Sequence, residues 1–300
     1  MTRSRRLVLA LVIDLVLVVA EAIGGLLAHS SGLIATAGHD LADAAALGLA
    51  LVATRLALRP ATASRSFGYH RATILAALAN ATAIVIVGLG VVALAAFRLA
   101  APEHVRGLVV IAFAGAGLLG NSAAAVVLSD HSHDLNFRAV ALHFGGDAAA
   151  ALGVIAAGAV ILATGRFETL DPAVALLITV LIGAKAWKLV RASLEVLLES
   201  TPADLDVAAL AAAISASEGV TAVHDLHCWS LSSDVRALSA HLVLDGHPSL
   251  EEAQVVGERV KSCIAQRFNV AHATLEMECE PCAEDVADSC AVDPVSRPAF

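Results

Sequence analysis

Apolar residues fill the first two hundred positions in long blocks broken by polar clusters, and the last hundred positions change to shorter, alternating patterns. The 26 residues between Arg71 and Arg98 carry no charge, nor do the 23 between Arg106 and Asp130. At 1.5 Å per residue, each stretch crosses about 30 Å of hydrocarbon as a helix. Residues 7–29, 33–58, 138–164 and 172–198 have similar lengths but contain acidic, basic or His residues, so they are expected to span with those positions turned toward a protein interior. With 71–98 and 106–129 they make six spans, divided at "HSSG", "RPATASRSFGYH", "APEH", "SDHSHDLN" and "TGRFETLDP". Short connections make consecutive helices antiparallel neighbours.

Beyond Ser200 the period changes. Residues 203–217 read as an Ala-rich helix, with Thr201 or Asp204 available as its cap. "GVTAVHDLHCWSL" and "VRALSAHLVLDG" alternate as half-buried strands joined at "SSD", and "VAHATLEMEC" reads as a third. Between them "HPSLEEAQVVGERVKSCIAQRF" is an amphipathic helix led by Pro248, Ser249 and two Glu. The order α-β-β-α-β predicts a small two-layer α+β domain of ferredoxin-like type. The chain therefore reads as a transmembrane domain over 1–200, this domain over 201–282, and a disordered end over 283–300.

Composition agrees: 58% of residues are hydrophobic, 16% are charged, and the mean hydropathy of +0.78 is that of a membrane protein. The basic opening is also how a signal peptide starts, but Asp14 and Glu21 inside the apolar run argue against one. Arg3, Arg5, Arg6, Arg59, Arg65 and Arg71 fall on the N-terminal side of the predicted membrane, which puts both termini in the cytoplasm, with a bacterial inner membrane as the expected location. Charge divides sharply, with a net of +2 over residues 1–200 and −11 after them. The acidic tail offers no basic patch for nucleic acid; its charge either attracts cations or keeps the domain soluble. All five Cys lie in that tail, where a reducing cytoplasm leaves them as free thiols or metal ligands. A membrane half without Cys, in a chain with only two Met, disfavours soft copper(I).

The polar residues inside the spans then need a task. "HDLADAAALG" at 39–48 and "HFGGDAAAALG" at 143–153 each place Asp four residues after His, followed by small residues that allow close helix packing. Four residues apart on a helix share a face, so His39 with Asp43, and His143 with Asp147, each aim two ligand atoms at one point. Two such helices meeting face to face make a His₂Asp₂ set suited to tetrahedral Zn²⁺ and displaceable by protons. An i,i+4 ion pair or a pure proton relay uses the same residues, and duplication of the motif favours the metal. Asp40 lies one residue off the shared face and is left out. No His-Glu-x-x-His occurs, so a metalloprotease reading has no support, and the chain is not expected to be an enzyme.

From about residue 8 to 280 an ordered series of motifs resembles the cation diffusion facilitator family, and within it the zinc-exporting bacterial branch. The series is "GHDLADAAALG", "RPATASRSFGYHRATILAALAN", "LNFRAVALHFGGDAAAALG", "TLDP", "VHDLHCWSL" and "ALSAHLVL". The resemblance implies six membrane helices with a metallochaperone-like cytoplasmic domain, a homodimer formed through that domain and the membrane helices, and metal export in exchange for protons. It maps the transport site onto His39, Asp43, His143 and Asp147, a ligand set associated with zinc over cadmium. In the tail it maps regulatory metal positions onto His224, His241, Glu276 and Glu278, with Cys279 and Cys282 as a Cys-x-x-Cys pair that Cys228, Cys290, His227 or His272 would complete. Arg65 and Tyr69 stand where some members carry metal-binding His, Thr73 stands where a Glu is usual, and His131 and His133 make a faint version of a His-rich loop. Cadmium, cobalt, iron or manganese remain alternative cargoes, and a membrane-bound metal sensor or scaffold without transport is the alternative of another class.

Overall fold

The structure, a computed structural model, describes residues 3–129, 135–233 and 235–280; within its helices the side chains of 3–11, 47, 127–129 and 135–143 lie outside that description. The end at 283–300 and the His131/His133 loop lie outside it as well. Six long helices come first: α1 (Arg3–Ala28), α2 (Ser31–Ala57), α3 (Arg71–Ala100), α4 (Gly107–Ser129), α5 (Leu135–Thr164) and α6 (Leu170–Leu197). Over their described residues α3, α4, α5 and α6 are long and apolar enough to cross a membrane. The first two have comparable lengths, α1 with Asp14 and Glu21 and α2 with His39, Asp40 and Asp43 inside the apolar run. Large apolar side chains such as Leu26, Ile86, Leu119 and Val126 stand exposed along the helices, which a lipid solvent accommodates and water does not.

Two compact units divide the chain, Met1–Arg55 with Ala76–Arg191, and Leu56–Leu75 with Ala192–Phe300. In the first, α4 packs against α5 and α1 around a core that includes Ala28, Leu33, Val110, Ala114, Val154 and Ile161. Small residues set the spacing. A Cβ on Gly107 would lie 2.6 Å from the Gly158 carbonyl oxygen, so α4 and α5 touch there backbone to backbone.

The second unit contains α7 (Val207–Ser215), β1 (Val220–Ser230), β2 (Arg236–Leu244), α8 (Leu250–Phe268) and β3 (Val270–Glu278). The expected α-β-β-α-β order forms one sheet, β1-β2-β3, in which β1 and β2 are antiparallel and α8 crosses over to set β3 parallel to β2. Leu210, Ile214, Leu238, Leu242, Val260 and Ile264 fill the space between sheet and helices. One expected cap is corrected. Asp206 caps α7 by accepting from the Ala209 N–H, because its own extended backbone (φ −81°, ψ 101°) ends the preceding loop; Asp204 instead accepts from Arg236 at 2.5 Å. Ser249 and Glu252 form a reciprocal capping box on α8, and Asn269 closes that helix in the left-handed region. The α2–α3 connection belongs to the same unit, where the Phe67 ring meets His272 of β3 edge-on at 5.4 Å and Arg71 pairs with Glu199 at 2.5 Å.

Candidate metal centre

α2 carries the first half of the expected site, and its start is fixed by a residue from another helix. Asp171, in the first turn of α6 and fully buried, accepts from the Ser30 hydroxyl and from the Ser31 N–H at 2.5 Å, with Gly32 N–H at 3.3 Å. These are donors the first turn of a helix leaves without intrahelical partners, and a carboxylate there also faces the positive end of the helix dipole. Arg98 adds bonds to the His29 carbonyl (2.6 Å) and the Ser31 hydroxyl (3.1 Å).

Two turns into α2, His39 Nε2 lies 3.3 Å from Asp43 Oδ2 and 3.5 Å from Asp147 Oδ1 of α5. All three side chains are mostly buried. A tetrahedral ion with bonds of roughly 2.0–2.1 Å has ligand-to-ligand edges of about 3.3 Å, so this spacing suits Zn²⁺ and similar dications. His143 belongs to α5, one turn before Asp147, and its side chain lies outside the described residues. Three of the four expected ligands are thus brought together from two helices.

Asp40 corrects the helical-face argument. It is buried, and its carboxylate, the His39 imidazole and the Asp147 carboxylate offer ligand atoms within 4.8 Å of one another. Its position one residue after His39 turns it toward a cavity of about 580 Å³ that α1 and α4 also line, through Glu21 and Asn121. Glu21 was visible in the sequence as a charge inside an apolar span. Asn121, uncharged within "LLGNSAAA", gave no such signal.

The C-terminal cluster centres on Glu278. Its two carboxylate oxygens meet His224 Nε2 at 2.8 Å and His241 Nδ1 at 2.9 Å, while His241 Nε2 lies 3.4 Å from Glu276 and 3.5 Å from Asp225. Sheet register produces this, because His224 sits opposite His241 and His241 opposite Glu276. His224, His241 and Glu278 form a group able to hold a metal ion, with Glu276 at its exposed rim. Asp225, in the left-handed region at φ 47°, is the neighbour sequence reading did not single out. Cys279 is exposed just past β3, and Cys282 lies outside the described residues. Cys228 is part of the hydrophobic core, where burial pushes its thiol up and away from the thiolate a metal requires. In the α2–α3 connection the Arg65 guanidinium lies over the Tyr69 ring at 4.7 Å, and the Thr73 hydroxyl donates to the His70 carbonyl.

Comparison with known proteins adds an independent line. The model described as the cation efflux transmembrane domain matches residues 7–198, and the one described as the cytoplasmic domain of cation efflux proteins matches residues 202–280. The metal cation efflux system protein CzcD of Cupriavidus metallidurans is 36% identical over 282 residues, covering 94% of this chain and 88% of that protein. The zinc transporter ZitB of Pectobacterium atrosepticum is 36% identical over 285 residues, with the same coverage of each chain. The cadmium, cobalt and zinc/H⁺-K⁺ antiporter of Bacillus subtilis is 31% identical over 275 residues, covering 91% of this chain and 88% of its own.

Proposed function

The chain belongs to the cation efflux family, whose members are membrane transporters and not enzymes, and from that premise we propose that it exports Zn²⁺ from the cytoplasm in exchange for protons. The observation that carries this reading is the placement of two carboxylates from different helices, Asp43 of α2 and Asp147 of α5, at 3.3 and 3.5 Å from one His39 imidazole nitrogen. The relatives' names support it: one is called a metal cation efflux system protein, one a zinc transporter, and one an antiporter of cadmium, cobalt and zinc that includes H⁺.

In this reading cytoplasmic Zn²⁺ enters the cavity and exchanges its waters for His39, Asp43, His143 and Asp147. Imidazole and carboxylate must be deprotonated to bind metal, so protons arriving from the far side compete for the same lone pairs and release the cation outward. Rocking of the helices around this fixed site alternates its exposure. Both termini are cytoplasmic, and the C-terminal domain joins two copies of the chain, with Zn²⁺ at His224, His241 and Glu278 as a regulatory ligand that Glu276 and the Cys279/Cys282 pair supplement.

The test is transport in proteoliposomes under an imposed pH gradient across a panel of Zn²⁺, Cd²⁺, Co²⁺ and Mn²⁺. Zn²⁺ is expected to drive the largest counterflow of protons, and His143→Ala to abolish it. Undiminished flux in that variant removes the quartet from the mechanism.

A further inference from the structure

We propose that the same cavity holds a second divalent cation, on oxygen donors of Glu21, Asp40 and Asn121. These three come from α1, α2 and α4, are exposed by only 2%, 4% and 2%, and line the cavity together. Each leaves one oxygen without a hydrogen-bond partner: Glu21 Oε2, Asp40 Oδ2 and Asn121 Oδ1. A buried polar atom left unpaired costs roughly 1–3 kcal/mol, and more when charged, so three in one cavity call for an ion or water that satisfies them.

The backbone makes room for this arrangement. A Cβ at position 117 would fall 2.3 Å from Glu21 Oε1, so the bare Gly117 lets the Glu21 carboxylate lie against α4, one turn before Asn121. Charge gives the second argument. Asp40 is within electrostatic reach of Glu21, Asp147, Asp14 and Asp43, which makes five carboxylates in one neighbourhood, and among the described residues Lys185 is the one Lys or Arg lining the cavity. A single dication in the quartet balances two carboxylates at most, and the others are left to protons or to a second cation. The donor set is oxygen alone, harder than the imidazole-containing quartet, and a volume near 580 Å³ admits several waters at about 30 Å³ each. The second cation therefore keeps part of its hydration shell and binds more weakly, as a loading position beside the transport site. The identity of the cation and its role as a loading position rest on the transport reading; the number of ions bound does not.

Counting bound metal decides the matter, with Co²⁺ as the probe and full-length protein in lipid nanodiscs. Because the C-terminal cluster is the same in every variant, differences report the membrane helices alone. Glu21→Gln is expected to bind one Co²⁺ per chain fewer than the unmodified protein, and to remove one more from His39→Ala as well. Asn121→Ala, which keeps all the carboxylates, is expected to weaken that equivalent by 10-fold or more, and it decides the question if Glu21→Gln does not fold. If Glu21→Gln and Asn121→Ala bind as the unmodified protein does, protons alone neutralise the cavity and the proposal is overturned. Loss of both equivalents in His39→Ala also overturns it, since the oxygens would then belong to a single centre. Unchanged binding in His39→Ala with a loss in Glu21→Gln would instead sink the quartet and leave the second site standing.

Discussion

Asp171 and Ser31, 140 positions apart in the chain, are joined by a 2.5 Å hydrogen bond from the Ser31 backbone N–H to the Asp171 carboxylate. That bond fixes where α2 begins, and so the height at which His39 and Asp43 stand. Asp171→Ala leaves the Ser30, Ser31 and Gly32 donors buried without a partner, which is expected to cost about 1–3 kcal/mol of stability. Thermal unfolding in detergent should fall accordingly, and metal flux should drop while Co²⁺ binding at the C-terminal cluster stays unchanged.

Glu278 bridges two imidazoles, one through each carboxylate oxygen. Glu278→Gln removes a negative ligand from that pair, and metal affinity of the C-terminal unit is expected to fall by at least 10-fold. Truncation after Ser200 goes further, weakening transport in proteoliposomes that contain equal amounts of inserted protein. Equal flux from truncated and complete chains would assign the C-terminal domain no part in transport.

The bond from Arg236, and then its charge, hold the Asp204 carboxyl below its ordinary value of 3.8. A group with a lowered folded value contributes stability above the unfolded value and loses it as pH falls through the folded one. Asp204→Asn is therefore expected to lower the melting temperature of the C-terminal unit above pH 4 and to converge with the unmodified protein toward pH 2. Trp229 fluorescence in a Trp187→Phe background reads this directly, since those are the two Trp of the chain.

Thiol reactivity should follow burial. Cys279 is exposed and is expected to react with maleimide within minutes at pH 7, whereas Cys228, buried with its thiol pushed up, should stay unlabelled until the protein is denatured. Mass spectrometry of labelled peptides distinguishes them.

Much of this architecture is legible in the sequence because the signals are local. The uncharged runs after Arg71 and Arg106 become α3 and α4, Ser249 with Glu252 marks the start of α8, and alternation marks all three strands. The His-x-x-x-Asp spacing likewise brings His39 and Asp43 together, since one helix turn suffices. Asp40, Asn121 and the role of Asp171 depend on several helices meeting, which no single period records. On an isolated α2 Asp40 lies to one side of the His39–Asp43 face, and the helices packed around it, α1 and α4 among them, turn that direction into the wall of a cavity. "TLDP" is recognisable as a motif, but that its Asp closes the start of a helix 140 residues earlier is a tertiary fact.

The parallel strand β3 has a consequence for how the molecule is made. Glu278 sits at its far end and leaves the ribosome after every residue it joins, 54 positions behind His224. Until then the His224–Glu278–His241 cluster cannot assemble, so all of α1 to α6 has been synthesised before the tail completes it.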